Sequence, residues 1–307
     1  MSAKSVIVPL ESYRLAQYAV PIPCYICESE NTFDAEYCTH CSAPMALAHQ
    51  AKTQGVRPRM LAVVGASGAG KTVYLGMLMD MLSRRADGLQ LLARGAFSIS
   101  LQQTTIAALA RCEFPQKTPN EPERWNWVHC QVRRPRQKRP LELIMPDMAG
   151  EALLEEIDHP HTYRVIHSFL QKCSAAIVLI DAATFHESNV DHDYFTVKLL
   201  TYLSELRDDT PGNWTKKPVA LVLSKADQYE ECMEDPASYA RQHATGLWQQ
   251  CQERFACHRF FATGVAGGCA WRDVRGEGRL QVPLRIEPRG IAAPFEWVLG
   301  SLPAEKG

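Results

Sequence analysis

The sequence has no apolar run approaching the ~20 residues of a membrane-spanning helix. It also lacks an excess of charge, with 33 basic side chains against 34 acidic ones. The first absence argues against a spanning helix. The second removes any general pull toward nucleic acid or a membrane surface. Residues 1–19 show no long apolar core behind a basic start, so no secretory signal is read there. Without export, the cysteines are not expected to form a disulfide framework. No internal repeat and no low-complexity tract is present. What is there is a 307-residue chain, long enough for one sizeable α/β core and a small module, expected in the cytoplasm.

The most informative stretch is Gly65-Ala66-Ser67-Gly68-Ala69-Gly70-Lys71-Thr72. It follows the apolar run Met60 to Val64 and opens an apolar-periodic helix, Val73 to Leu82. Strand, glycine-rich loop and helix are the context that a P-loop requires. The glycines let backbone N–H groups converge on phosphate oxygens, and the helix N-terminus adds its dipole. Lys71 is placed to reach the β- and γ-phosphates, and the Thr72 hydroxyl to hold Mg²⁺. A flexible Gly/Ser loop does not explain Lys-Thr at this offset.

Leu141 to Glu151 reads as a strand ending in Asp147-Met148-Ala149-Gly150-Glu151. An aspartate at a strand tip can hold Mg²⁺ through water. The Gly150 N–H can approach a γ-phosphate that a side chain would hinder. Ala175 to Asp181 is a near-continuous apolar run, as for a strand buried on both faces of a parallel sheet. Asp181 reads as a cap or turn residue. Pro218 to Leu223 leads into Ser224-Lys225-Ala226-Asp227. An aspartate here can accept two hydrogen bonds from the N1 and N2 edge of guanine, which adenine does not offer, and such paired contacts discriminate strongly. The aliphatic part of Lys225 can cover the base. Ala262-Thr263 then ends a short strand and can present N–H groups to the guanine oxygen.

Near the N-terminus, Cys24-x-x-Cys27 and Cys38-x-x-Cys41 are separated by ten residues. Two such knuckles make a tetrahedral thiolate site for Zn²⁺, with no open position and therefore a structural role. A ribbon this small needs its metal to fold. It could dock a partner, bind nucleic acid or brace the N-terminus. An exposed Tyr25 and few basic residues favour protein docking, so nucleic acid is not required. The other seven cysteines (112, 130, 173, 232, 251, 257 and 269) read as buried thiols.

The order P-loop, Asp-x-x-Gly, Ser-Lys-x-Asp, Ala-Thr resembles the Ras-like, translation-factor-related P-loop GTPases from about Arg59 to Gly264. More narrowly, Gly-Lys-Thr-Val-Tyr-Leu, Asp-x-x-Gly-Glu and the zinc ribbon resemble the double-GTPase proteins of bacterial conflict systems. The resemblance implies a three-layer α/β sandwich with a mostly parallel sheet, and a GTPase acting as a switch beside protein partners. It implies a guanine-nucleotide site (GTP or GDP) built from Gly65, Ala66, Ser67, Gly68, Ala69, Gly70, Lys71, Thr72, Val73, Asp147, Ser224, Lys225, Asp227, Ala262 and Thr263. Partners would engage through the switch loops and the ribbon.

Two positions depart from that pattern. Ser224 stands where Asn or Thr is usual; its hydroxyl can still bond the P-loop backbone. Glu151 stands where Ras-like proteins carry a glutamine that orients the attacking water. An ionised Glu only accepts hydrogen bonds. Turnover is therefore expected to be slow or partner-dependent, with Lys71, Thr118, Gly150 and Glu151 as the catalytic set. Glu151 could equally be an N-terminal helix residue favoured by the dipole. Thr118, in the loop Phe114 to Pro119, is the expected switch threonine, completing the Mg²⁺ set with Thr72 and Asp147; Thr104 and Thr105 fall within a helix read over Phe97 to Arg111.

The expected organisation is a ribbon segment at 1–48, a linker at 49–58 drawn from the polar, Ala-rich stretch Ala43 to Arg57, and a GTPase domain at 59–307. Arg133 to Arg139 reads as a solvated hairpin tip between antiparallel strands. Gly264 to Gly290, with no clean periodicity, reads as a lid over the base or a flexible insertion. Phe295, Val298, Leu299 and Leu302 mark a last helix, with Trp297 off the stripe. His159 or His161 could position water, though loop histidines are more often only exposed. Two other readings stand: a P-loop ATPase, against which no acidic pair ends the strand before Met148, and a GTP-binding scaffold without turnover.

Overall fold

The computed structural model describes residues 20–303 apart from 56, 85–87, 136–138, 187–189, 207–213 and 275–277. The expectations for residues 1–19, and for Arg136, Gln137 and Lys138 at the basic hairpin tip, lie outside the described residues. In chain order the elements are β1 (Ile22–Pro23), β2 (Glu30–Asn31), α1 (Ala46–Gln54), β3 (Arg59–Gly65), α2 (Lys71–Ser83), β4 (Gln90–Ala93) and α3 (Ala96–Ala110). There follow β5 (Trp127–Arg133), β6 (Leu141–Pro146), α4 (Gly150–Asp158), α5 (Arg164–Lys172), β7 (Ala175–Asp181), α6 (Ala183–His186) and α7 (Val190–Glu205). The rest are β8 (Val219–Ser224), α8 (Glu230–Glu234), α9 (Pro236–His243), α10 (Thr245–Arg254), β9 (His258–Ala262), β10 (Gly264–Val274), β11 (Gly278–Arg289) and α11 (Ala292–Ser301).

The continuous apolar runs become the middle of the sheet. All but the end residues of β3, β7 and β8 are buried, as expected for parallel strands covered on both faces. Among the described residues the sheet has seven strands in the order β4-β5-β6-β3-β7-β8-β9. β6, β3, β7, β8 and β9 pair in parallel, while β4, β5 and β6 pair antiparallel. Leu61, Val63, Ile177 and Val222 face a core with α2, α3 and α11. Ala62, Val64, Val178 and Leu221 face the opposite core with α4, α5 and α7. This is the three-layer arrangement of the P-loop NTPases. It puts the loops after β3, β6, β8 and β9 at one end of the sheet.

The stretch expected as a linker is helical over Ala46–Gln54. Leu47, Ala48 and Ala51 are buried, so tertiary burial rather than local pattern makes the helix. The ribbon does not stand apart: Ile22, Cys24, Ile26 and Met45 share one core with Trp125, Trp127 and Phe169. Tyr25, expected exposed, is half-buried, and its hydroxyl donates to the Pro58 carbonyl. Helix α1 also covers the polar face of β5 and β6. There the His129 ring meets Gln50 Oε1 at 3.0 Å and Glu142 at 3.2 Å, and Gln131 donates to Glu142 at 2.8 Å.

Within the segment read as a lid over the base or a flexible insertion, the described residues form two antiparallel strands, β10 against β11, a hairpin. Three register shifts near Gly264, Ala266 and Gly268 break its alternation, which hides the period of two from sequence reading. Of the seven scattered cysteines, Cys112 is exposed and Cys257 and Cys269 are half-buried, contrary to expectation. The closing helix forms with Phe295, Val298 and Leu299 buried and Trp297 only partly so, as expected, while Leu302 follows the helix and is half-buried.

Candidate functional site

The loop between β3 and α2 turns through Gly68 and Gly70, with φ of 80° and 82°. That left-handed region is readily open only to glycine, and it points successive N–H groups into one concavity at the helix N-terminus. Lys71 opens α2 with only 6% of its surface exposed. Its Nζ donates to Gly65 O and Ala66 O, each at 2.9 Å. Burial pushes the ammonium down to about 8, against the pull of Asp147 and Glu151. A buried cation of this kind gains from an arriving anion.

Beside it, three oxygen-bearing side chains from distant parts of the chain converge. Thr72 Oγ1 donates to Asp147 Oδ2 at 2.9 Å, and Thr118 Oγ1 donates to the same oxygen at 3.0 Å. The two hydroxyls are 3.2 Å apart. Asp147 is 1% exposed. Burial raises its pKa, while Lys71 and the two hydroxyls lower it. Two hydroxyls and a buried carboxylate are hard donors, the set that suits a small divalent cation. Thr104 bonds back to the Ser100 carbonyl within α3, and Thr105 is buried against Gly76 of α2. Neither approaches Asp147 as Thr118 does.

Gly150 sits directly on the P-loop. A Cβ there would stand 2.3 Å from Ser67 N and 2.6 Å from the Ala66 carbonyl carbon. The next residue, Glu151, accepts from Ser67 Oγ at 3.1 Å and lies 3.7 Å from Lys117 Nζ. It therefore occupies the first turn of α4 and faces the cleft at once.

The other end of the cleft is formed after β8. Lys225 adopts the left-handed φ of 56°, and its Nζ pairs with Asp181. Asp181 also accepts from the Ala183 N–H at 3.0 Å, so it is both turn residue and partner. Asp227 is half-buried. Burial raises its pKa, and backbone N–H groups, including those of Ala266 and Val265, pull it back. The Ser224 hydroxyl donates to Ile180 O at 3.2 Å rather than to the P-loop backbone, because parallel pairing of β7 and β8 puts that carbonyl nearer. Thr263 is buried and its carbonyl accepts from Ala226 N; its N–H, expected to face a guanine oxygen, instead donates to Leu223 O, because β8 and β9 continue their pairing to this point. Ala262 ends β9 beside it.

One cleft of about 260 Å³ joins the two ends. Ser67, Gly68, Gly70, Lys71, Thr72, Val73, Thr118, Gly150 and Glu151 line it at one side, and Ser224, Lys225, Asp227 and Thr263 at the other. Gly65, Ala66, Ala69, Asp147 and Ala262 do not line it. Phe114, Gln116, Lys117, Cys269 and Gln281 also line it and were not singled out from sequence. The last two come from the hairpin, which the sequence offered as a lid over the base without pointing to either residue; Lys117 was legible only as the neighbour of Thr118. His159 and His161 do not line the cleft. His161 packs on His167, with ring centroids 4.5 Å apart, and its N–H donates to the buried Glu156.

At the N-terminal side, Cys24 and Cys41 sulfurs are 3.7 Å apart and Cys27 and Cys38 sulfurs 3.5 Å apart. All four lie within 4.8 Å of one another. Ligands at 2.3 Å from a tetrahedral Zn²⁺ have sulfurs about 3.8 Å apart, so the donor set and spacing fit that ion.

No described helix is long and apolar enough to cross a membrane. No curated protein matches the sequence. Solved structures similar to this chain include an ADP-ribosylation-factor-like GTP-binding protein (the small COPII coat GTPase SAR1) of Encephalitozoon cuniculi in complex with GDP. It is 14% identical, with 82% of this chain and 83% of that one covered, at a TM-score of 0.37. The Ski7 GTPase-like domain of S. cerevisiae, bound to GDP and inorganic phosphate, is 16% identical, covering 67% of this chain and 43% of that one, at a TM-score of 0.37. The signal recognition particle receptor SRb-GTP/SRX complex of Chaetomium thermophilum is 13% identical, covering 80% and 100%, at a TM-score of 0.36. The family model described as Double-GTPase 2 matches residues 59–262, from the first residue of β3 to the last of β9, and leaves out Thr263, the hairpin and Ile291 among the residues that line the cleft. With well over half of its length matched, the chain belongs to the Double-GTPase 2 family.

Proposed function

We propose that this protein is a guanine-nucleotide switch that binds GTP with Mg²⁺ and hydrolyses it slowly. The observation that carries the reading is the convergence of Thr72, Thr118 and Asp147 beside a P-loop lysine, with Asp227 at the far end of the same cleft. Thr72, Thr118 and Asp147 would hold Mg²⁺, which supplies charge neutralisation for the β- and γ-phosphates. The P-loop N–H groups and Lys71 bind the phosphates. Asp227 accepts from the guanine edge, the Lys225 stem covers the base, and Ala262 and Thr263 bound the base pocket. Gly150 lets α4 approach the γ-phosphate. Glu151 accepts a hydrogen bond from the attacking water.

In the reaction, the water oxygen bonds the γ-phosphorus as the bond to the β–γ bridging oxygen breaks. The electron pair leaves on GDP, and the water proton passes to phosphate and then solvent. Because Glu151 cannot donate, it orients water less completely than an amide would. Phosphate release frees Thr118 and Gly150 from their γ-phosphate contacts, and the loops that carry them change partner affinity.

The ribbon belongs to the same reading. Zn²⁺ held by Cys24, Cys27, Cys38 and Cys41 would lock the knuckles. The shared core supports a bracing role for residues 22–48 of the ribbon segment, with the outer ribbon surface and the switch loops left for protein partners. A bacterial multi-protein defence setting in the cytoplasm, where these thiols stay reduced, completes the proposal.

The test is nucleotide binding and phosphate release with Mg²⁺ on zinc-loaded protein, comparing GTP with ATP. GTP preference with turnover supports the switch. Asp227→Asn should move preference from guanine to xanthine nucleotides by at least about a hundredfold, since a site built on paired hydrogen bonds rejects the mismatched base. Unchanged guanine preference in that variant sinks the base assignment. GTP binding without turnover favours a second reading, a GTP-binding scaffold, for which the engagement of Glu151 by Ser67 and Lys117 speaks.

A further inference from the structure

We propose that Lys117 is a specificity residue for the triphosphate: its ammonium offsets the charge of Glu151, so that a γ-phosphate can enter beside that carboxylate. The inference rests on the GTPase reading above and adds a residue to it.

The placement follows from four contacts. Lys117 precedes Thr118, whose hydroxyl is tied to Asp147 and Thr72. Its Nζ stands 3.7 Å from Glu151 Oε1. That oxygen also accepts from Ser67 Oγ of the P-loop at 3.1 Å. Glu151 follows Gly150, which touches the backbone of Ala66 and Ser67. Ser67, Lys117 and Glu151 therefore ring the phosphate end of the cleft, away from Asp227. The Lys117 and Glu151 side chains are 78% and 55% exposed, and such a pair adds little to folding stability. Its consequence is for ligand charge. An ionised Glu151 repels a γ-phosphate, and a neighbouring cation removes that repulsion. A diphosphate does not reach this end, so the pair separates GTP from GDP rather than raising affinity for both.

The test uses GDP and a non-hydrolysable imido analogue of GTP as probes, with Mg²⁺, on full-length zinc-loaded protein. Lys117→Met is expected to weaken the analogue about tenfold, the scale of one unit charge a few ångströms from phosphate in partly screened surroundings. GDP affinity should stay within about twofold, and Lys117→Arg should retain both affinities. In a Glu151→Gln background, Lys117→Met should cost the analogue no more than about twofold. Equal loss for both probes, no loss, or a loss that persists in the Glu151→Gln background overturns the proposal while the GTPase reading stands. A wild-type protein that binds neither guanine nucleotide overturns both. Melting temperatures of the variants verify that each is folded.

Discussion

Gly150→Ala isolates the contact between α4 and the P-loop. The added methyl would lie 2.3 Å from Ser67 N, 2.6 Å from the Ala66 carbonyl carbon and 2.8 Å from Ser67 Cα. Ordinary contact needs about 3.4 Å or more, so the two backbones must part by roughly an ångström. No flexible side chain is there to absorb the change. Overpacking of this kind costs about 1–3 kcal/mol, which for a chain of this size lowers the melting temperature by several degrees. The larger effect falls on the ligand. On the proposed function, parting α4 from the P-loop would take the Gly150 N–H away from a γ-phosphate and leave the loop that would cradle a diphosphate in place. A misplacement of about 1 Å at a reacting centre costs on the order of a hundredfold. Binding of the GTP imido analogue and single-turnover phosphate release should both fall by one to two orders of magnitude, with GDP binding within a few-fold. Gly246→Ala is the control, because a methyl there meets nothing within 4 Å. The reasoning is refuted if Gly150→Ala melts within about 1 °C of wild type and binds the analogue within about twofold.

Two further outcomes follow from burial and from the shared core. Burial pushes Lys71 down to about 8 from 10.5, so between those values the folded chain binds fewer protons than the unfolded one. The sign is that stability of the nucleotide-free protein rises with pH through this window, and the charged lysine costs up to about 3 kcal/mol below it. Lys71→Met should flatten the urea stability profile between about pH 8 and 10 and abolish nucleotide binding; an unchanged slope refutes the burial argument. Removing zinc with a chelator, or by Cys27→Ser, should lower the melting temperature of the GTPase core by more than about 5 °C and shift tryptophan emission, because Trp125 and Trp127 share the ribbon core. A core transition unmoved by metal loss would mean that the ribbon folds as a separate unit.

Much of the glycine-rich loop after β3 was legible locally. A tight anion loop needs glycines at fixed offsets before Lys71 and Thr72, so the chemistry is written in consecutive residues. The same holds for β3, β7 and β8, whose burial on both faces demands unbroken apolar runs. The two cysteine knuckles are equally local, since a tetrahedral site is closed by two short turns. Helix α1 was not legible: Ala46 to Gln54 is polar enough to read as a linker, and only the sheet face with His129 and Glu142 gives it something to cover. The hairpin was hidden by its own register shifts.

The sequence by itself determined the glycine-rich loop between strand and helix, the central strands and the two cysteine knuckles, because each depends on neighbours a few residues away. The tertiary structure decided which threonine meets Asp147, how closely Gly150 lies on the P-loop, and that Lys117 faces Glu151. It also decided that the ribbon shares its core with the sheet and that the hairpin stands over Asp227. Those contacts join residues tens of positions apart. They are fixed by packing and charge across the fold, where no local pattern reaches.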